Sequence, residues 1–182
     1  MALAIKNKVA IVGSTTLSTP LGTATIATTP KGICKVALNE ATISPSFNEN
    51  HPYLQQCKTE LEEYFAHKRT NFDVPIDVSF GTPFMQQVWE QLLAIPYAQT
   101  STYGTVAKRL KNDKAMRAVG MACGRNELWI VIPCHRVIGS SGKLTGYAGG
   151  LAIKEWLLTP KINKYYFLWI HKLPKSTYIL VI

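Results

Sequence analysis

The sequence predicts an α+β chain, in which a small unit of strands and one helix is followed by a mainly helical unit built on a helix-turn-helix. Three observations predict it. Residues 17–39, LSTPLGTATIATTPKGICKVALN, alternate small, β-branched and apolar residues around Pro30-Lys31-Gly32, as a hairpin with a Pro/Gly turn does. Residues 52–68 place Leu54, Cys57, Leu61, Tyr64 and Phe65 at helical spacing. From Thr82 onward three short helical patterns follow, the last two joined by a tight turn and rich in Lys and Arg.

Each element has a local cause. VPIDVSF, residues 74–80, alternates like a third strand and completes the first unit. TPFMQQVWEQLLAIP opens on Thr82 and Pro83, a good helix start, and puts Phe84, Val88, Leu92 and Ile95 on one face before Pro96 stops it. TSTYGTVAKRL offers a Ser or Thr cap and a short amphipathic helix. NDKAMRAVGMACGRN follows, with Asp113 as a cap and Gly124 near its end. Ala115, Ala118, Gly120, Ala122 and Gly124 make this second helix thin enough to approach another backbone closely, either in a protein core or, with Arg117 reaching in, in a DNA groove. The division is therefore 1–80, 81–158 and a tail, 159–182.

The 182 residues are 47% hydrophobic, which supports a packed core and argues against wholesale disorder. The net charge of +9 is uneven. Residues 1–75 hold seven basic and six acidic side chains, residues 76–159 nine and five, and residues 160–182 four basic and no acidic ones. A basic C-terminal half fits a polyanionic partner, nucleic acid above all, or else a merely soluble basic surface. Cys34, Cys57, Cys123 and Cys134 form no CxxC pair and no zinc-finger spacing, so no metal is expected. Cys57, on the apolar face of its helix, reads as a small buried hydrophobe. With no secretory pattern at the start and no run of about 18 apolar residues, the expected setting is cytoplasmic or otherwise intracellular, with free thiols and no membrane partner.

The segment IVIPCHRVIG, residues 130–139, poses the functional question. Cys134 follows Pro133 at the end of an apolar run and precedes His135 and Arg136. A core residue, a metal ligand and a nucleophile are all open on spacing alone. A neighbouring imidazole is what turns a thiol into a nucleophilic thiolate, and burying a histidine and an arginine beside an apolar strand without purpose is costly. LWIVIP, 128–133, reads as the buried strand that holds the thiol, and the Gly- and Ser-rich 140–150 as a cleft wall carrying Tyr147.

IPCHRVIGSSGKLTGYAGGLAIKEWLL is similar to the most specific segment of the O6-alkylguanine-DNA alkyltransferases, the methylated-DNA–protein-cysteine methyltransferases, whose signature is PCHRV. The resemblance runs from about Thr82 to Leu158 through FxxxVWxxLxxIPYAxTxTYG and RAVGxAxGRN. Residues 17–80 resemble more loosely the family's ribonuclease-H-like N-terminal domain, and the second unit then corresponds to a winged helix-turn-helix domain.

The resemblance implies roles. Cys134 is the alkyl acceptor, consumed in one irreversible transfer from O6 of guanine, with O4 of thymine left open. His135 takes the thiol proton through a water. Asn126 is a hinge between the recognition helix and the acceptor segment. Tyr103 crowds the target phosphate, promotes flipping and gives a proton to guanine N3. Flipping is needed because O6 hydrogen-bonds inside the stack. Arg117 is the finger that fills the vacated space, with Ala118, Lys114, Arg125 and Arg136 also at the DNA. Tyr147, with Val137, Ala148 and Gly149, walls the base pocket. The implied partner is double-stranded alkylated DNA, bound by a monomer that needs no cofactor.

Two departures qualify this. The family has a glutamate a few residues past the double leucine, in a pattern like LLxHE, which orients the histidine. Here Leu157-Leu158 is followed by Thr159-Pro160-Lys161, with Lys161 at the glutamate's place. A slower acceptor is the expectation, since losing a carboxylate that fixes an imidazole costs orders of magnitude elsewhere. The alternative is an alkyltransferase-like protein that binds damage without repairing it. Some relatives also carry an N-terminal zinc site, but Cys34, Cys57, His51 and His67 do not match one.

Overall fold

A computed structural model describes residues 4–5, 9–39 and 47–159. The tail from Pro160, with Lys161, lies outside the described residues. The first unit begins with a short pairing of β1 (Ala4–Ile5) and β2 (Val9–Ala10), then a three-stranded antiparallel meander: β3 (Gly13–Thr19), β4 (Gly22–Thr29) and β5 (Gly32–Leu38). The β4–β5 turn is the predicted Pro30-Lys31 one. The sequence reading took 17–39 as a single hairpin and missed β3, whose turn at Pro20-Leu21 is a second punctuation. Thr19 closes that turn, its Oγ1 accepting from Leu21 N at 3.1 Å and donating to Gly22 O at 2.7 Å.

Helix α1 (Pro52–Phe65) packs on the sheet through Leu54, Cys57 and Leu61, all fully buried, as its spacing predicts. Residues 74–80 are not the strand their alternation suggests. They make one parallel bridge, Ile76 to Ile33, with Ile33 N donating to Pro75 O at 2.7 Å and Asp77 N donating to Ile33 O at 2.8 Å. Pro75 has no N–H to extend the ladder. Asp77 then diverts the chain by accepting from Thr29 Oγ1 at 2.7 Å and Ser79 N at 3.0 Å. Further along, Val36 bridges Leu128, with Val36 N donating to Glu127 O at 2.8 Å and Trp129 N donating to Val36 O at 2.9 Å. The free edge of β5 is thus covered by the segment entering the second unit and by the segment leading to Cys134.

The second unit starts with α2 (Pro83–Leu93), capped by Thr82 Oγ1 accepting from Met85 N at 3.3 Å. β6 (Ser101–Thr102) leads into α3 (Tyr103–Arg109), whose cap is Thr102, and α4 (Met116–Gly124) follows after a tight turn. Asp113 does not cap this last helix. It opens a single 3-10 turn, Asp113–Ala115, and α4 then starts at Met116, with Ala115 at the capping position and no side-chain cap. Trp89 ties α2 to α4 by donating from its indole to Ala122 O at 2.9 Å, a bond worth about 1 kcal/mol. β7 (Val137–Ile138) pairs in parallel with β6, and α5 (Leu151–Leu158) closes the described chain. Among the described residues no helix is long and apolar enough to cross a membrane.

The buried thiols make the fold sensitive to alkali. Burial pushes Cys34 up from 9.0 to about 12, so the folded form keeps a proton that the unfolded chain loses. That contribution is intact below pH 9, fades as pH rises toward 12, and costs up to about 1.4 kcal/mol per pH unit per thiol. Melting temperature should therefore fall steadily above pH 9, and Cys34→Ala should flatten the slope. Parallel curves for the two proteins would remove Cys34 as a cause.

Candidate active site

The segment that leads to Cys134 is not a strand. Residues 128–133 are buried from end to end, but they fold as consecutive tight turns, with Ile132 N donating to Leu128 O, Val131 N to Trp129 O and Cys134 N to Ile132 O, each at 2.8 Å. An apolar run without a partner strand satisfies its backbone locally. Ile130 adopts φ 72°, a conformation that costs a β-branched residue on the order of 1–3 kcal/mol. Cys134 and His135 then sit in a 3-10 turn, Cys134–Arg136.

Asn126 organises these turns. Its Oδ1 accepts from Leu128 N at 2.9 Å, while its Nδ2 donates to Ile132 O at 3.0 Å and to Cys134 Sγ at 3.1 Å. One buried amide thus holds the turn and contacts the sulfur that the turn presents. Burial raises the Cys134 thiol above its ordinary value; the Asn126 bond, the Lys154 charge and the backbone amides of Cys134 and His135 oppose that rise. Cys134 keeps 5% exposure and His135 none.

The parallel β6–β7 pair sets Ser101 opposite Val137, two residues before Tyr103 and just after the Cys-His turn. It brings the start of α3 beside that turn. Tyr103 lies against α4, where a Cβ on Gly120 would stand 3.8 Å from its ring, and its hydroxyl donates to Thr145 O at 3.3 Å. Burial raises the Tyr103 hydroxyl and the Thr145 bond lowers it. On the outer surface of the helix pair Lys114, Arg117 and Arg125 are exposed together with Lys108, Arg109 and Lys111, and Ala118 is half-buried against the core.

The expected pocket wall is assembled from residues 143–150. Tyr147 packs its ring on Trp129 at 5.7 Å, and its buried hydroxyl has no partner among the described residues. Gly149 is required by the same contact, since a Cβ there would lie 2.9 Å from the Trp129 ring. Gly150, at φ 87°, turns the chain into α5. Ala148 is exposed and Val137 is buried.

Two side chains depart from the sequence reading. Arg136 was expected at the DNA; it is instead buried, its Nη1 donating to Ile95 O at 2.7 Å and its guanidinium lying 5.7 Å over the Tyr97 ring. The 3-10 turn that presents Cys134 turns the next-but-one side chain inward, away from the exposed basic helices. Lys154 was not foreseen at all. Fully buried, it donates from Nζ to Val137 O and Thr145 O, both at 2.7 Å, and to Gly146 O at 3.4 Å. The ammonium thereby ties α5 to the strand after the acceptor and to the pocket loop, sharing the Thr145 carbonyl with Tyr103. Burial lowers its pKa, and the thiols of Cys134 and Cys123 act the other way. The signal was a lysine three positions before the buried Leu157, on the inward face of α5. Lys154→Met would strip these carbonyls of the ammonium and leave Thr145 O only the Tyr103 hydroxyl, so a loss of about 3 kcal/mol in unfolding free energy is expected in urea, with slower alkyl uptake. Unchanged stability would mean the loop holds itself.

Comparison with known proteins agrees with this geometry. Residues 12–78 match the ribonuclease-like domain of 6-O-methylguanine DNA methyltransferase, and residues 83–160 match its DNA-binding domain. The chain is 50% identical over 116 residues to the methylated-DNA–protein-cysteine methyltransferase of Methanosarcina acetivorans, which covers 64% of this chain and 74% of that protein. To the protein of that name from Mycobacterium tuberculosis it is 42% identical over 146 residues, 79% of this chain and 88% of the other. The crystal structure of Mycobacterium tuberculosis OGT in complex with DNA is similar in fold, with a TM-score of 0.72 and 40% identity over 81% of this chain and 92% of that one. With both regions present in order, the chain belongs to the 6-O-methylguanine DNA methyltransferase family and is a DNA-repair methyltransferase.

Proposed function

We propose that the protein takes the alkyl group from O6 of guanine in double-stranded DNA onto Cys134, once per molecule, after the damaged nucleotide has left the base stack. In the transfer the Sγ–carbon bond forms as the carbon–O6 bond breaks, and a proton passes to the departing guanine. A thioether is a poor leaving group, so the protein is spent. The observation that carries this reading is the Asn126 amide 3.1 Å from Cys134 Sγ, holding a thiol beside an exposed basic helix pair.

The neighbouring residues have matching tasks. His135 takes the thiol proton through a water, Tyr103 crowds the phosphate and protonates guanine N3, and Arg117 fills the space the base leaves. Tyr147, the backbone of Val137 and Ala148, and Gly149 enclose the flipped base. Lys114 and Arg125 bind phosphate, so affinity should fall with salt and little sequence should be read. The division at residues 80 and 81 separates the supporting unit from the one that meets DNA, and the protein acts as a monomer.

The test is the intact mass after incubation with an O6-methylguanine duplex. One added methyl group on the Cys134 peptide, and never a second, is the expected result. DNA bound with no mass change would identify a damage-binding protein instead, and repeated turnover would exclude a suicide acceptor.

A further inference from the structure

Arg136 is 5% exposed, and among the described residues no carboxylate pairs with its charge. Its Nη1 donates to the Ile95 carbonyl and its guanidinium faces the Tyr97 ring and the Tyr64 hydroxyl, but its buried Nε has no partner among the described residues. A guanidinium does not shed its proton in a protein, and a buried charge left uncompensated is costly. The same side chain lines a cavity of about 340 Å³ between the two units, on the Arg136 side of the acceptor turn. Its walls are apolar, formed by Phe72, Val74, Leu93, Ile130, Val131 and Pro133, and Thr70 and Asn71 add exposed polar groups. The volume is at the lower end for small-molecule sites.

We propose that this cavity is a binding site for a small monocarboxylate with a compact aliphatic body, its carboxylate on Arg136 and its chain against the apolar walls. Charge selects the head group, because Arg136 is the cationic residue of the lining and no acidic residue shares it. Size favours a compact body, since the volume lies at the lower end for small-molecule sites. An occupant would lean on Val131 and Pro133, the residues immediately before Cys134, and so would stiffen the acceptor turn. The lining holds no residue of α3 or α4, and binding here does not depend on the reaction assigned to Cys134.

Octanoate is a suitable probe, with octanol as its uncharged counterpart. Titration of carbon-13-labelled octanoate into the full chain, followed by NMR, should show saturable binding, accompanied by a rise in melting temperature. Octanol should bind at least about tenfold more weakly, and Arg136→Gln should weaken octanoate by a similar factor. Leu93→Trp, at an exposed position of the lining, leaves the arginine in place but fills the cavity and should abolish binding. That variant decides the matter if Arg136→Gln does not fold. Equal binding of octanol and octanoate, octanoate binding that survives Leu93→Trp, or no saturable binding at all would each overturn the proposal.

Discussion

Cys134→Ser will take up no methyl group from an O6-methylguanine duplex, yet it will still fold and still bind that duplex within a few-fold of the parent protein. The reasons are local. A hydroxyl at this position is not ionised near neutral pH, and only the ionised form is an adequate nucleophile. The substitution shortens one bond in a turn held by backbone bonds, Asn126 and Arg136, all of which stay in place, so packing is barely disturbed. The exposed basic residues of α3 and α4 are untouched, and phosphate contacts supply most of the affinity. Intact mass reads the first outcome, and fluorescence anisotropy at fixed salt reads the second. Methyl uptake by the serine variant would transfer the acceptor role to Cys123 or another thiol.

Asn126→Asp is expected to separate positioning from chemistry. One carboxylate oxygen can still accept from Leu128 N, as Oδ1 does now at 2.9 Å. The other replaces Nδ2, a donor 3.1 Å from the sulfur, with negative charge. A like charge at that range disfavours the thiolate, so the thiol pKa, already raised by burial, moves up again. Each unit of that shift removes about nine-tenths of the thiolate present at neutral pH, so alkyl uptake at pH 7 should fall by about a hundredfold or more. The sign gives a specific signature: the rate-versus-pH curve moves to higher pH, and raising the pH recovers part of the rate. Asn126→Ala should behave differently, losing about 1–3 kcal/mol of stability because Leu128 N loses its buried partner, while Ile132 O keeps the Cys134 amide. A uniform loss of rate at every pH in the Asp variant would reduce Asn126 to scaffolding.

What the sequence made legible follows from where the information is local. Pro30-Lys31-Gly32 and Thr82-Pro83 announce a turn and a helix start through their own backbone chemistry and stand where they were read, and the Ser or Thr cap expected in TSTYGTVAKRL is Thr102. The helix pair and the PCHRV segment were equally readable as ordered motifs. The misreadings are tertiary. The alternation of 74–80 and the apolar run of 128–133 are real, but both segments spend their pairing on a single bridge to β5, which pattern alone does not reveal. Asp113 is the right residue type for a cap and loses the place to a 3-10 turn. The direction of Arg136 is set by the turn that presents Cys134, and the three-carbonyl seat of Lys154 is built from residues far enough away that only the folded chain brings them together.

The covered edge of β5 has a consequence for dynamics. The amides of Val36 and Trp129 are far apart in the chain but belong to one hydrogen-bonded pair of bonds around Val36. Neither can be released to solvent deuterium by fraying of its own neighbourhood alone. They should exchange at matched rates, as members of one cooperative opening unit, while the β3–β4 turn at Pro20-Leu21 exchanges far sooner. The sheet of the first unit and the turn that carries the acceptor would then share a single local stability.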